Sequence, residues 1–193
     1  MKSIDRLLQR WRISKARRFI APGARILDIG SADGALFRQL NISGAQGMGI
    51  DPTLKSNTEA DGVPLIAGFF PKDMTATEPF DVITMLAVLE HFPPAQYGDL
   101  KRGCVEFLKP GGRLIITVPS PAVDHILAVL KFFRLIDGMS LEEHHGFEVS
   151  RTTTIFPPEH FRLLKRATFQ LGLNNLFVFE RVVGTKPADA ARI

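Results

Sequence analysis

Cysteine is nearly absent from this 193-residue chain, which contains only Cys104. One cysteine cannot form a disulfide within the chain, so the sequence predicts a fold without covalent cross-links in a reducing, cytoplasmic environment. Cys104 falls in a predicted helix over residues 95–107. We expect it to be a small packed side chain and not a nucleophile.

Long hydrophobic runs are also missing. The N-terminus has no apolar run of secretory-signal length, and no other run reaches the length that a transmembrane helix requires. The composition is that of an ordinary globular protein, with 45% hydrophobic and 23% charged residues. At this length we predict a single domain over residues 1–193 with a sizeable core.

Acidic residues are scarce in the first twenty positions, where Asp5 is the only one. The basic residues of this segment are Lys2, Arg6, Arg10, Arg12, Lys15, Arg17 and Arg18. Because Leu7, Leu8 and Trp11 fall at helical spacing among them, residues 1–20 are predicted to form a basic amphipathic helix. Its basic face is either solvated, with the helix packed on the domain, or approaches an anionic lipid, a membrane surface or another acidic partner.

Helix and strand signals alternate along the rest of the chain, as a doubly wound α/β domain requires. Strands are predicted near residues 25–29, 46–50, 63–66, 81–86 and 112–118, and helices near 34–41 and 95–107. The runs near 81–86 and at 112–118 are continuously apolar. Such runs are typical of parallel strands that are covered on both faces.

The most informative segment is a short apolar strand that leads into a turn of small residues. Residues 26–34 read ILDIGSADG, and the helical pattern ALFRQL follows; a second strand ends at Asp51. A turn of small residues lets a ligand lie against bare backbone, and an acid at the end of the next strand can accept hydrogen bonds from ribose hydroxyls. Together these features predict a site for a nucleoside cofactor.

The glycine pattern departs from a dinucleotide fingerprint, because Gly30, Ala32 and Ala35 occupy its three glycine positions. Asp28, two residues before Gly30, would repel a diphosphate but attract a cation such as the ammonium of an amino-acid tail. S-adenosylmethionine has both a ribose and an ammonium group. The residues therefore favour this cofactor over a nicotinamide, although a nicotinamide-dependent oxidoreductase stays an alternative.

Four motifs, in order over about residues 24–120, resemble those of class I S-adenosylmethionine-dependent methyltransferases. Residues 26–34 resemble the first motif and residues 49–51 the second; 80–91 resemble the fourth strand with its turn, and 108–119 the turn and fifth strand. The resemblance implies a Rossmann-like methyltransferase fold, in which a mostly parallel, doubly wound seven-stranded sheet ends in an antiparallel hairpin.

The period of the C-terminal third is ambiguous, because residues 161–171 fit a helix but also alternate apolar and polar side chains. Residues 176–183 form a second apolar strand after turn residues. Since the resembling fold ends in a hairpin, we expect these two segments to pair as antiparallel strands, with a short helix near 151–157.

The resemblance also implies an activity: methyl transfer to a small-molecule or lipid-like acceptor through an oxygen or nitrogen nucleophile. The residues that it implies for cofactor binding are Asp28, Gly30, Ser31, Ala32, Gly34, Asp51, Pro52, Gly68, Phe69 and Leu86. Ala32 replaces the middle glycine of the first motif. Residues 67–70 lack the acid that meets the adenine amino group in many relatives, so we expect backbone and the face of Phe69 to meet the adenine. A domain of this fold that binds its cofactor or a partner without catalysis is the alternative.

Three histidines are candidate catalytic residues. His91 follows Glu90 and matches a family pattern that lines the cofactor pocket, although a role in the following turn fits equally well. His144 and His145 form either a solvated pair or supply a general base, because neutral imidazole is available near pH 7. Residues 142–145 read EEHH, without the i, i+4 histidine spacing of a helical zinc motif, so no metal is predicted.

Residues 121–137 are predicted to form a helix that is apolar on most sides. Because this segment leaves the fifth strand at its carboxyl end, where ligands bind in such folds, we expect residues 121–147 to be a lid on the acceptor pocket; core packing is the alternative. A nucleic-acid acceptor is disfavoured. Residues 89–94 do not match the Asn/Asp-Pro-Pro-aromatic motif of base-amine methyltransferases, and no basic-aromatic module is present.

Overall fold

The computed structural model describes residues 3–76, 78–120 and 148–182. The helices are α1 (Ser3–Arg17), α2 (Ala35–Leu40), α3 (Tyr97–Phe107) and α4 (Arg151–Ile155). The strands are β1 (Ile26–Ile29), β2 (Gly47–Asp51), β3 (Thr58–Ala60), β4 (Val63–Ala67), β5 (Phe80–Leu86), β6 (Leu108–Pro119), β7 (Phe161–Phe169) and β8 (Asn174–Arg181). Each helix and strand predicted from the sequence outside residues 121–147 has its counterpart among these elements.

These strands form one mixed sheet in the order β3-β4-β2-β1-β5-β6-β8-β7. β1, β2, β4, β5 and β6 are parallel to their neighbours in this group, whereas β3, β7 and β8 pair antiparallel. The α/β fold class and the C-terminal hairpin are thereby confirmed. In the hairpin, Phe161 lies opposite Arg181 and Phe169 lies opposite Asn174.

The sheet has one more strand than the seven that the sequence predicts. β3 pairs with β4 through the two-residue turn Asp61–Gly62, whose φ angles are +52° and +78°. Positive φ at both central residues is characteristic of a type I′ turn, which Asp-Gly favours in β-hairpins. The Asp-Gly dipeptide was therefore the sequence signal that could have predicted this hairpin. β3 itself is too short and polar to show an alternating pattern.

Helices cover both faces of the sheet. On one face Leu100 and Cys104 of α3 pack in the larger core cluster; on the other, Ile13 and Ala16 of α1 pack with Phe37 of α2. Cys104 is fully buried, and its burial raises the pKa of the thiol. As predicted, it is a packed side chain.

Side-chain hydrogen bonds join α1 to α2 and to the β7–β8 turn. The Gln39 side chain of α2 donates to the Arg10 carbonyl and to the Ser14 hydroxyl, each at 3.0 Å. From the β7–β8 turn, the Gln170 side chain donates to the Leu8 carbonyl at 3.3 Å. Within the described ranges, no helix combines the length and apolar character needed to cross a membrane.

The carboxyl ends of the parallel strands meet at one edge of the sheet. Pro119 at the end of β6 pairs with Asn174 at the start of β8, so the β7–β8 turn also lies at this edge. The strand predicted over residues 161–171 ends at Phe169, and Leu171 lies in that turn. The predicted lid, residues 121–147, lies outside the described residues.

Candidate functional site

Two adjoining cavities open at the carboxyl edge and together form a cleft. The first, of about 580 Å³, is here called the Asp51 cavity; its lining includes Ala32, Asp51, Thr53, Leu86 and Ala87. The second, of about 260 Å³, is the Phe69 cavity; its lining includes Ile50, Gly68, Phe69, Phe70, Phe92 and Gln96. Gly30, Pro52, Val88 and His91 line both. The volume of the Asp51 cavity alone falls in the range of small-molecule sites. A cavity with few polar groups beside one with a carboxylate suits an amphipathic ligand.

Most residues predicted to bind the cofactor meet in this cleft. Those that line it are Gly30, Ala32, Asp51, Pro52, Gly68, Phe69 and Leu86. Asp28, Ser31 and Gly34 do not appear in its lining. His91 does, whereas its neighbour Glu90 is only 4% exposed. The pair Glu90–His91 is therefore divided between the core and the cleft.

Asp51 holds the small-residue loop against the end of the second strand. Its Oδ2 accepts a hydrogen bond from the Ala32 backbone N–H at 2.8 Å. Its Oδ1 accepts from the Thr53 backbone N–H at 2.8 Å and from the Thr53 hydroxyl at 2.5 Å. Because a carboxylate oxygen accepts two hydrogen bonds, Oδ2 keeps capacity for a further donor in the cleft.

Gly30 brings its backbone close to the opposite wall. Its φ is +77°, and a Cβ atom added there would lie 2.3 Å from Val88 Cγ2. Only glycine fits this conformation and this spacing. The bare backbone of Gly30 therefore forms a cradle that any side chain would fill.

Two alanines that line the Asp51 cavity also adopt left-handed backbone conformations. Ala32 has φ +45° and Ala87 has φ +61°. Such conformations cost an L-residue of order 1–2 kcal/mol and collect at ligand sites, where the surrounding structure maintains them. Hydrogen bonds maintain both here: Ala32 N–H to Asp51, and Ala87 N–H to the Thr117 carbonyl at 2.9 Å.

Replacing Ala32 with glycine should stabilise the protein, because glycine adopts the left-handed conformation without a steric penalty. We expect the free energy of unfolding to rise by up to about 1 kcal/mol, measured by urea denaturation, while affinity for the cofactor stays within about threefold. Ala35→Gly is the matched control, since Ala35 is the first helical residue of α2 and gains no relief from glycine; it should not raise that free energy. A loss of stability in Ala32→Gly would contradict the strain at this position.

The buried acid Asp28 lies beneath the loop. The Thr84 hydroxyl donates to its Oδ1 at 2.6 Å. Burial raises the pKa of Asp28 to about 7, the Thr84 hydrogen bond opposes this rise, and the negative charge of Asp51 adds to it. Near neutral pH this carboxyl is therefore poised to lose its proton when a cation arrives.

Cofactor affinity should consequently depend on pH through Asp28. A ligand ammonium favours the carboxylate, so binding releases a proton below the unliganded pKa of about 7. We expect calorimetry to show affinity rising from about pH 5.5 to about pH 7, by at most about tenfold per pH unit, and levelling above. Asp28→Asn should flatten this profile.

A matched control is available for that profile. Burial also raises the pKa of Glu90 to about 7, while its backbone hydrogen bond and the nearby charge of Arg12 oppose the rise. Glu90→Gln should keep the pH profile of the parent. If the pH profile persists in Asp28→Asn but disappears in Glu90→Gln, the group that titrates is Glu90, and the role given to Asp28 is wrong.

Ser31 and Gly34 shape the floor of the loop. A Cβ at Gly49 would lie 2.5 Å from the Ser31 hydroxyl, so this side chain occupies the space left by Gly49. A Cβ at Gly34 would lie 2.6 Å from the Cβ of Ala60. Both residues therefore pack within the fold, below the surface of the cleft.

Among the residues of the site that the sequence analysis did not single out, Thr53 and Val88 line the cleft and Asp73 supports it from behind. Asp73 accepts a hydrogen bond from the Phe69 backbone N–H at 2.8 Å through Oδ2. Asp73 thus places a carboxylate at the turn after β4, although residues 67–70 themselves contain no acid. An acid four residues after Phe69 was visible in the sequence, but its contact depends on how the turn folds.

His144 and His145 lie outside the described residues, as do their acidic neighbours. In the part of the chain that the structure describes, no three His, Cys, Asp or Glu side chains are grouped so that they could hold a metal ion. His91 is therefore the only histidine candidate whose position in the cleft is described.

Comparison with known proteins gives the family. A family model described as a methyltransferase domain matches residues 3–169. A ubiquinone biosynthesis O-methyltransferase from Xanthomonas campestris pv. campestris is 33% identical over 116 residues, which are 53% of this chain and 46% of that protein. The chain spans about half the length of the curated relatives it matches.

Solved structures share the fold. An N-methyltransferase from Bradyrhizobium japonicum has a TM-score of 0.63 at 18% identity, over 93% of this chain and 99% of that one. A 1,6-didemethyltoxoflavin-N1-methyltransferase from Burkholderia thailandensis, solved with S-adenosylhomocysteine, has a TM-score of 0.66 at 16% identity, over 91% and 79% of the two chains.

The cleft suits the cofactor of these proteins. The Asp51 carboxylate faces one cavity, and the Gly30 backbone is bare. The neighbouring Phe69 cavity has the apolar walls that an adenine ring requires. The family model covers most of the chain, and the fold agrees with it. The chain therefore belongs to the class I S-adenosylmethionine-dependent methyltransferase family.

Proposed function

We propose that this protein transfers the methyl group of S-adenosylmethionine to a small-molecule or lipid-like acceptor that presents an oxygen or a nitrogen nucleophile. The cleft carries this proposal, because its Asp51 carboxylate, bare Gly30 backbone and apolar Phe69 cavity adjoin one another at the carboxyl edge. The similar proteins include ubiquinone biosynthesis O-methyltransferases and N-methyltransferases. The single cysteine supports a cytoplasmic location for the reaction.

Each part of the cofactor has a partner of matching chemistry. Asp51 Oδ2, with one described donor, would accept a ribose hydroxyl. The Phe69 cavity would take the adenine between Pro52 and Phe69, with the turn backbone at Gly68 held by Asp73. Asp28 would balance the charge of the amino-acid end from below the loop.

When bound, the cofactor supplies an activated methyl group on a sulfonium. The chain's main task is therefore to hold the acceptor in line with that group. A base accelerates transfer only if the acceptor carries a proton that must leave. We propose His91, His144 or His145 for this role, and residues 121–147 as the wall of the acceptor pocket. His91 has the support of its position on both cavities.

The activity is tested by release of S-adenosylhomocysteine across phenols, quinol lipids, amines and sugars. We expect release with at least one hydrophobic acceptor, and release that is roughly 10- to 150-fold slower in Asp51→Ala at a cofactor concentration well below the parent's Kd. Calorimetric binding of S-adenosylmethionine without release for any acceptor would favour a non-catalytic binding domain. Binding of NADH in its place would favour an oxidoreductase.

Single alanine variants of the three histidines assign the base. We expect one of them to lose turnover on the identified acceptor while its affinity for S-adenosylmethionine matches the parent. Equal turnover in all three variants would show that proximity alone suffices, and the base would then be struck from the mechanism.

A further inference from the structure

The outer side of α1 carries two large apolar side chains. Leu7 is 63% exposed and Trp11 is 43% exposed, and the two lie one helical turn apart. The buried residues Ile13 and Ala16 lie on the other side of the helix, against the sheet. Packing of the helix on the domain therefore explains Ile13 and Ala16 but not Leu7 and Trp11.

A third exposed apolar residue lies beside this helix. Leu171, in the β7–β8 turn, is 99% exposed and has φ +56°. Its neighbour Gln170 is buried and donates its side-chain hydrogen bond to the Leu8 carbonyl, which places the turn against the first half of α1. Neither packing nor local conformation favours leucine here, since glycine or asparagine tolerates positive φ better.

After Asp5, the charge along α1 has one sign. Residues 6–25 contain no aspartate or glutamate. Arg6, Arg10, Arg17 and Arg18 are exposed on or just after α1. Exposed tryptophan and leucine among arginines are characteristic of helices that lie at an anionic membrane interface.

We propose that Leu7, Trp11, Leu171 and these four arginines form a docking surface for an anionic phospholipid membrane. A lipid headgroup layer satisfies both halves of this surface, because phosphates pair with the arginines and acyl chains accept the apolar side chains. A nucleic-acid backbone would meet the arginines alone. The β7–β8 turn lies at the carboxyl edge, so docking would bring the cleft close to the bilayer. The supply of a lipid-like acceptor by this route rests on the proposed function; the docking does not.

The chain has a built-in probe, since Trp11 is its only tryptophan. Vesicles of equal parts phosphatidylcholine and phosphatidylglycerol should shift its fluorescence to shorter wavelength, and brominated acyl chains should quench it. Vesicles of phosphatidylcholine alone should do neither. Partitioning measured by co-sedimentation should fall as salt is added, because the attraction is screened.

Variants separate the charged and apolar parts. Each arginine near an anionic leaflet contributes about fivefold to partitioning, so the double variant Arg6→Glu/Arg10→Glu should lose about 25-fold or more. Leu171→Asn keeps a residue that tolerates positive φ and should lose roughly fivefold. Arg102→Glu on α3 and Leu164→Ser on β7, a leucine that is 42% exposed, are the matched controls and should partition like the parent.

The proposal is overturned if the protein binds neutral vesicles equally, if Trp11 fluorescence is unchanged, or if both test variants partition like the parent. It is also overturned if Leu171→Asn splits a dimer in sedimentation velocity, which would make a second copy the occupant. Binding to a DNA duplex that is insensitive to Leu171→Asn, without vesicle binding, would assign the surface to nucleic acid. Affinity for S-adenosylmethionine should match the parent in every variant, so a failure of docking is distinguishable from a failure of the methyltransferase assignment.

Discussion

Valine in place of Gly30 is expected to weaken S-adenosylmethionine binding by more than about 100-fold, measured by isothermal titration calorimetry. Two effects act together. Gly30 has φ +77°, which valine avoids strongly, and the first atom of any side chain would lie 2.3 Å from Val88 Cγ2. Since Gly30 and Val88 both line the two cavities, the loop and its opposite wall must separate to admit the side chain. The surface against which the cofactor would lie is then lost.

Control variants distinguish the collision from the backbone strain. Gly23 has almost the same φ, +75°, but a Cβ there meets nothing within 4 Å. Gly23→Ala should therefore lower stability by about 1–2 kcal/mol while leaving cofactor affinity unchanged. The pair Gly30→Ala and Gly30→Ala/Val88→Ala tests the collision directly, because the second change removes both methyl groups of Val88. If Gly30→Val folds and binds S-adenosylmethionine like the parent, the cofactor does not lie against the Gly30 backbone.

Alanine in place of Asp51 should weaken S-adenosylmethionine binding by roughly 10- to 150-fold, or about 1.5–3 kcal/mol. The change removes the acceptor proposed for the ribose and also the hydrogen bond from Ala32 N–H that holds the loop. The Ala32 N–H would be left without this partner in a partly buried position, which adds to the cost. Binding should be measured by calorimetry at pH 7.5, above the pKa of Asp28.

Thr53 provides the control for Asp51. Thr53→Val removes the hydroxyl that donates to Asp51 Oδ1 but keeps the side-chain shape and the backbone N–H donor. We expect its affinity to stay within about fivefold of the parent, because the lost hydrogen bond is not a contact with the cofactor and the Thr53 N–H still donates to Asp51 Oδ1. If Thr53→Val is as damaging as Asp51→Ala, the order of this turn, and not a direct contact of the carboxylate, governs binding.

The main architecture could be predicted because local signals and the fold agree. Continuous apolar runs marked β5 and β6, and the glycine turn marked the end of β1. The ambiguous segment 161–171 was resolved only by resemblance. Its alternation is imperfect because β7 is an edge strand with an irregular register between Leu163 and Lys165, and Leu163 is 41% exposed.

The remaining parts of the site depend on contacts between distant segments. Nothing near Gly30 in the sequence indicates that Val88 limits its space, and nothing near Gly34 indicates Ala60. Asp73 supports the turn at Phe69 because the chain doubles back after β4. Such contacts arise from tertiary packing, which a pattern of apolar and polar residues along one segment does not encode.

The short strand β3 has an evolutionary consequence through its contact with Gly34. Ala60 is buried, and the space between it and Gly34 is too small for a methyl group on the glycine. A larger side chain at either position would therefore collide with the other residue. During evolution, such a substitution requires that β3 first moves away from α2. The sequence of β3, at the edge of the sheet, is thus constrained by the small-residue loop that ends at Gly34. Among homologues that keep this hairpin, positions 34 and 60 should vary together or not at all.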